Sequence, residues 1–141
     1  MQQLFEFVSN HLYLFGALVL VSVLLAQNLL SGMDKSSITP QRATELINRE
    51  DAVVVDVRPM NDFADGHILH SLNIPMNGFG KQLGQLEKYR NRPIIVACRS
   101  GAQSSAACKQ LRKAGFDQVY NLRGGIMAWQ NANLPVSRKK R

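Results

Sequence analysis

Two short runs, Ala52 to Val57 and Pro93 to Cys98, are apolar at nearly every position and rich in β-branched residues. A strand with one wet face alternates apolar and polar residues, so nearly unbroken apolarity implies cover on both faces, as in a parallel sheet between helices. A third run, Gln118 to Leu122, follows a stretch from Ala102 to Lys113 with Ala107, Leu111 and Ala114 at helical spacing and Gly115 placed to terminate it. Strand, helix and strand in that order make a βαβ unit, and the fold class is α/β. Upstream, Thr39 suits an N-cap and Pro40 the first helical position of a helix that carries Ala43, Leu46 and Ile47 on one face and ends near Asn48.

The N-terminal composition is different. Leu12 to Ala26 is interrupted only by Gly16 and Ser22, and with Gln27 to Leu30 it reaches the lower end of membrane-spanning length. A cleaved signal peptide needs a cationic first region and a small-residue cleavage site; Met1 to His11 holds no Lys or Arg, and no such site follows. The expected organisation is therefore an uncleaved transmembrane anchor over residues 1–31, a polar linker over 32–37, one domain over 38–135 and a basic tail over 136–141. No cation precedes the span, whereas Lys35, Arg42 and Arg49 follow it. Positive flanks stay inside, so the expectation is a single-pass protein of the inner (cell) membrane with its domain in the cytoplasm.

A domain of roughly 100 residues can bury one core without disulfides or a structural metal. The only cysteines are Cys98 and Cys108. They are too few for a disulfide framework, and on the expected helix Cys108 lies about 9 Å along the axis from the end near Cys98, too far for a local bridge. Cys108 shares a helix face with Leu111 and reads as core. The net charge of +7 is not one patch: four cations form the run Arg138 to Arg141. That run reads as a solvated tail or as a segment drawn to anionic lipid near the anchor. No basic helix or aromatic-studded strand accompanies it, so nucleic acid is not an expected partner.

The second apolar run ends in CRSGAQSS, Cys98 to Ser105, immediately before the helix. A loop there turns successive N–H groups inward, and the helix N-terminus adds partial positive charge, giving an anion cradle with a thiol at its base. With Arg99 adjacent, the Cys98 thiol should ionise readily. Gly101 permits the tight path, and Ser100, Ala102, Gln103 and Ser104 leave room for a bound anion. These residues make Cys98 a candidate nucleophile and Arg99 to Ser104 a candidate binding loop; a buried, inert cysteine is the alternative.

The loop resembles the active-site loop of rhodanese-like domains. VVVDVRPMNDFADGHILHSLNIP, Val53 to Pro75, is similar to the upstream signature of that family, and LRGGIMAW, Leu122 to Trp129, to its C-terminal one. The resemblance implies a three-layer α/β domain, with a central parallel sheet and helices on both faces, preceded here by one transmembrane helix. It also implies a sulfurtransferase in which Cys98 takes sulfane sulfur from thiosulfate or a persulfide and passes it to a thiol or cyanide, with neither metal nor organic cofactor. Gln103 stands where many such loops carry a second Arg, so weaker capture of the thiosulfate dianion is expected. Asp56 and Arg58 read as loop-capping or mutually paired, His67 as a turn residue rather than a base, and Ile126 and Trp129 as core or lid packing. Arg123 and Gly124 fall at the sheet edge where ligands collect.

Two other readings compete. A cysteine phosphatase needs an Arg six residues after the Cys to clamp phosphate oxygens, and that position is Ser104. A membrane-tethered binding module with little catalysis would use the same fold to recruit a protein partner of unknown identity. The membrane expectation has its own check: alkaline phosphatase, which is active only in the periplasm, should be inactive when fused to the C-terminus, and an active fusion would overturn that orientation.

Overall fold

The computed structural model describes residues 1–31 and 36–138, without the side chain of Ser31. The expected linker residues 32–35 and tail residues 139–141 lie outside the described residues. The chain divides into two compact units at the boundary between residues 35 and 36.

In the first unit, helix α1 (Gln2–Asn10) and helix α2 (Leu12–Ser31) are separated at His11, where the backbone leaves helical geometry (φ −123°, ψ 44°). Residues Leu12–Leu30 of α2 form one helix long and apolar enough to cross a membrane, and none of it is buried within the protein. At about 1.5 Å per residue its 19 residues extend roughly 28 Å, close to the thickness of a bilayer's hydrocarbon core.

The second unit runs β1 (Ser37–Ile38), α3 (Pro40–Glu50), β2 (Val53–Asp56), α4 (Met60–Asp65), β3 (His67–Ile68) and β4 (Leu72–Asn73). A 3-10 segment (Phe79–Tyr89) then leads to β5 (Ile94–Ala97), α5 (Ala102–Lys113), β6 (Val119–Leu122), α6 (Gly125–Asn131) and β7 (Val136–Ser137). The main sheet has strand order β1-β6-β5-β2-β4, with every pair parallel. Its three longest strands answer to the three apolar runs. The side chains of β2 and β5 alternate between two cores, as the pleat requires. Val53, Val55, Ile94 and Val96 join Phe79, Leu86, Ala107 and Leu111 on one face. Val54, Ile95 and Ala97 join Ala43, Leu46, Ile126 and Trp129 on the other. Both faces are thus covered by helices, and the α/β expectation holds.

The expected domain limits need correction at both ends. Ser37, placed in the linker, and Ile38, the first residue of the expected domain, pair with Asn121 and Leu122, and the Ser36 carbonyl accepts from the Asn121 N–H at 2.8 Å. Val136 and Ser137, placed in the tail, pair antiparallel with Ile68 and His67. Two-residue strands carry no readable periodicity; distant partners define them. Helix α3 starts as expected, with Thr39 Oγ1 accepting from the Arg42 N–H at 3.2 Å, but it ends at Glu50. Asp51 then turns into the left-handed region (φ 51°).

Beyond β2, Asp56 and Arg58 form a buried pair. Arg58 Nε donates to Asp56 Oδ1 at 3.0 Å, and Nη2 donates to Oδ2 and to the Gly66 carbonyl, both at 2.7 Å. Asn73 Nδ2 ties the same turn by donating to the carbonyls of Asp56 and Arg58. Asp56 is fully buried, so losing its partner would strand a charge away from water. Arg58→Ala should destabilise the full chain by about 3–5 kcal/mol. Urea unfolding reads this directly, and an unchanged midpoint would show the pair to be dispensable.

Candidate active site

Strand β5 ends at Ala97, and the next residue, Cys98, is buried with its side chain in the core that α5 covers. From there the backbone turns sharply into α5. Gly101 occupies the left-handed region (φ +97°) as the residue capping that helix, a conformation that costs a non-glycine residue strain. Its N–H donates to Cys98 Sγ at 3.0 Å. Ser104, in the first turn of α5 and fully buried, sets its hydroxyl 3.3 Å from the same sulfur.

The loop is held from behind by α6. The Ile126 N–H donates to the Cys98 carbonyl at 2.8 Å and the Met127 N–H to the Arg99 carbonyl at 3.3 Å. Anchoring both carbonyls on α6 leaves the following N–H groups free to face the sulfur. This contact requires Gly125: a Cβ there would stand 2.3 Å from the Cys98 carbonyl oxygen and 2.6 Å from that of Arg99. Asn121 of β6 braces the other side, its Nδ2 donating to the Gly101 carbonyl at 3.0 Å and its Oδ1 accepting from the Ser104 hydroxyl.

Two opposed effects act on the thiol. Burial pushes its pKa up, but the hydrogen bonds that the Ser104 hydroxyl and the backbone N–H groups of Ser104, Ser100 and Gly101 can give to the ionised sulfur outweigh it, leaving the pKa below the ordinary 9.0. The sequence expectation named the wrong source in part. Arg99 is exposed and shares a groove with Asp62, Asp65 and Gln130; hydrogen bonds prevailing over burial, not its charge, set the direction for Cys98. A cradle of N–H groups around a buried sulfur can stabilise a sulfur anion, and hence favours attack by that sulfur.

The other expected loop residues fall into place around this centre. Ser100, Ala102 and Gln103 are exposed on the rim, and Gln103 lines an apolar cleft with Val57, Met60, Pro75 and Met76. Cys108 is buried in the same core as Cys98, without a disulfide between them. His67 stacks on Phe63 at 3.7 Å between ring centroids, with Nδ1 2.7 Å from the Phe63 carbonyl, so it belongs to the support of α4. Trp129 is core, its Nε1 donating to the Pro135 carbonyl. Arg123, expected at a ligand edge, instead donates to the Ser37 carbonyl at 3.1 Å and fastens β1. Asn121 and Gly125 are the participants that sequence reasoning passed over. The adjacent Gly124-Gly125 pair was a usable signal of close backbone approach.

Comparison with known proteins agrees with this geometry. The model of the rhodanese-like domain matches residues 39–132. The chain belongs to the rhodanese-like domain family. Over 99% of its length this rhodanese-like protein is 41% identical to the whole of an uncharacterized Escherichia coli protein, YibN. It is 34% identical to the thiosulfate sulfurtransferase GlpE of Glaesserella parasuis, over 72% of this chain and 92% of that one. A solved rhodanese-related protein from Thermoplasma volcanium superposes with a TM-score of 0.67 at 30% identity, covering 73% of this chain and 98% of its own. The family thus includes sulfurtransferases, and two thirds of this chain carries its domain.

The lowered pKa has a direct readout. Thiolate is the form that alkylates, so the iodoacetamide rate at Cys98 should rise with pH and level off at lower pH than for an ordinary thiol of pKa 9.0. Peptide mass analysis separates it from Cys108, which should react only on unfolding. A Cys98 midpoint at or above the ordinary value would contradict the cradle.

Proposed function

We propose that the domain is a sulfurtransferase whose nucleophile is Cys98. The observation that supports this most directly is Gly101 N–H, 3.0 Å from Sγ at the N-terminus of α5, within a loop whose Cys98 and Arg99 carbonyls are turned onto α6. The names of the relatives point the same way, since two of them are a sulfurtransferase and a thiosulfate sulfurtransferase.

The reaction takes two displacements. The Cys98 thiolate attacks the outer sulfur of the donor; the new S–S bond forms as the donor's own breaks, and the electron pair leaves as sulfite from thiosulfate or as a thiolate from a persulfide. Cys98 then carries a persulfide whose outer sulfur holds the negative charge, beside the N–H groups of Ser100, Gly101 and Ser104 that face Sγ. An acceptor thiolate or cyanide attacks that outer sulfur, and the Cys98 thiolate is regenerated. Charge moves along the sulfur chain without needing proton transfer from a side chain, a task that hydrogen-bond donors fixed in advance can serve. Neither metal nor organic cofactor enters.

The rim bears on the donor. Gln103 offers hydrogen bonds without charge where a dianion would profit from a cation, and it borders the apolar cleft of Val57, Met60 and Met76. This favours a persulfide donor over free thiosulfate. Tethering by α2 to the inner membrane, with the domain in the cytoplasm, would hold the thiol in a reducing compartment and near membrane-bound donors or acceptors.

Intact-mass measurement of the full chain in detergent tests the reading. Wild type should gain about one sulfur, roughly 32 Da, from a persulfide donor and more slowly from thiosulfate, and lose it to cyanide; Cys98→Ser should gain none. No gain from either donor would end the proposal, and equal loading by both would end its preference for persulfide.

A further inference from the structure

Asn121 lies on β6, outside the loop, yet it fixes where a proton sits inside it. Its amide faces two groups. On one side is the Gly101 carbonyl, 3.0 Å from Nδ2, which can only accept. Were the amide turned over, two carbonyl oxygens would meet at that distance, so the NH2 group must face Gly101. Oδ1 then necessarily faces Ser104, and Oδ1 can only accept as well. The Ser104 hydroxyl has one proton, and this arrangement draws it to Asn121. What Ser104 turns toward Cys98 Sγ, 3.3 Å away, is therefore a lone pair. A lone pair suits a thiol, which donates its S–H, and opposes a thiolate, which does not.

We propose that Asn121 is a positioning residue that, by holding the Ser104 proton, presents Cys98 with an acceptor and makes thiolate formation wait on rotation of that hydroxyl. The proposal rests on Cys98 being the nucleophile. In the resting thiol, protons run in one direction, from Sγ to Ser104 and from Ser104 to Asn121. When Sγ ionises, its proton leaves to solvent or base, and the hydroxyl turns to the sulfur, leaving Oδ1 without its donor. The backbone N–H groups favour the thiolate throughout; the hydroxyl is the one donor that must be released from another partner.

Other charges around the loop are engaged elsewhere or face outward. Arg58 is closed on Asp56, Arg123 on Ser37, and exposed Arg99 lies in the groove with Asp62 and Asp65. Helix α6 carries no titratable side chain, and α5 has none before Lys109 except buried Cys108.

The test is the pH profile of Cys98 alkylation in the full chain in detergent, for Asn121→Ala in wild-type and in Ser104→Ala backgrounds. Losing the Gly101 bond is common to both backgrounds, so their difference isolates the path through Ser104. With Ser104 present, Asn121→Ala should lower the midpoint by about one pH unit relative to its effect without Ser104, or about tenfold faster alkylation on the acid side. Asn121→Leu, which fills the space without hydrogen bonding, should do the same and serves if the smaller residue unfolds the domain. An equal change in both backgrounds, or a rise with Ser104 present, would overturn the proposal. Alkylation needs no sulfur donor, so an enzyme that fails to load sulfur would overturn the sulfurtransferase reading alone.

Discussion

The domain depends on the double burial of β2 and β5. Strands with no wet face need helices on both sides, parallel neighbours need crossovers, and the crossover from β5 must begin where that strand stops. Cys98 is the residue at that stop, with α5 starting four residues later. One constraint on apolar surface therefore brings a thiol, a tight turn and a helix N-terminus together. The buried Asp56–Arg58 pair performs the matching task after β2, closing its turn with ionic and carbonyl hydrogen bonds where β5 has the cysteine loop.

The loop acts on sulfur by direction more than by charge. Ion pairs on the surface lose most of their effect to water and salt, whereas N–H groups fixed around a buried atom do not have to be reorganised when charge appears. Helix α6 supplies this fixity by occupying the carbonyls of Cys98 and Arg99, and Gly125 permits the approach. Support from behind thus comes from a segment more than twenty residues downstream in the chain.

Much of this was legible in the sequence, for identifiable reasons. Continuous apolarity marked β2 and β5, Thr39-Pro40 marked the start of α3, and the position of Cys98 between strand and helix marked the candidate nucleophile. What escaped was set by distant partners. Ser37 to Ile38 and Val136 to Ser137 are strands only because Asn121 to Leu122 and His67 to Ile68 lie beside them. Arg123 sits where a ligand contact was expected and reaches Ser37 because that strand is there. Asn121 looks like an ordinary polar break in a strand, and its bonds to Gly101 and Ser104 span seventeen to twenty residues that no local pattern records.

A cradle made of main chain has one more consequence. Apart from the Ser104 hydroxyl its donors are peptide groups, and apart from Gly101, whose left-handed backbone favours glycine, these do not depend on the side chain that carries them, while Ser100, Ala102 and Gln103 are exposed at the rim. Reactivity and selectivity are therefore written in separate parts of the same eight-residue stretch. Substitution at those three exposed positions therefore leaves the donors around Sγ in place.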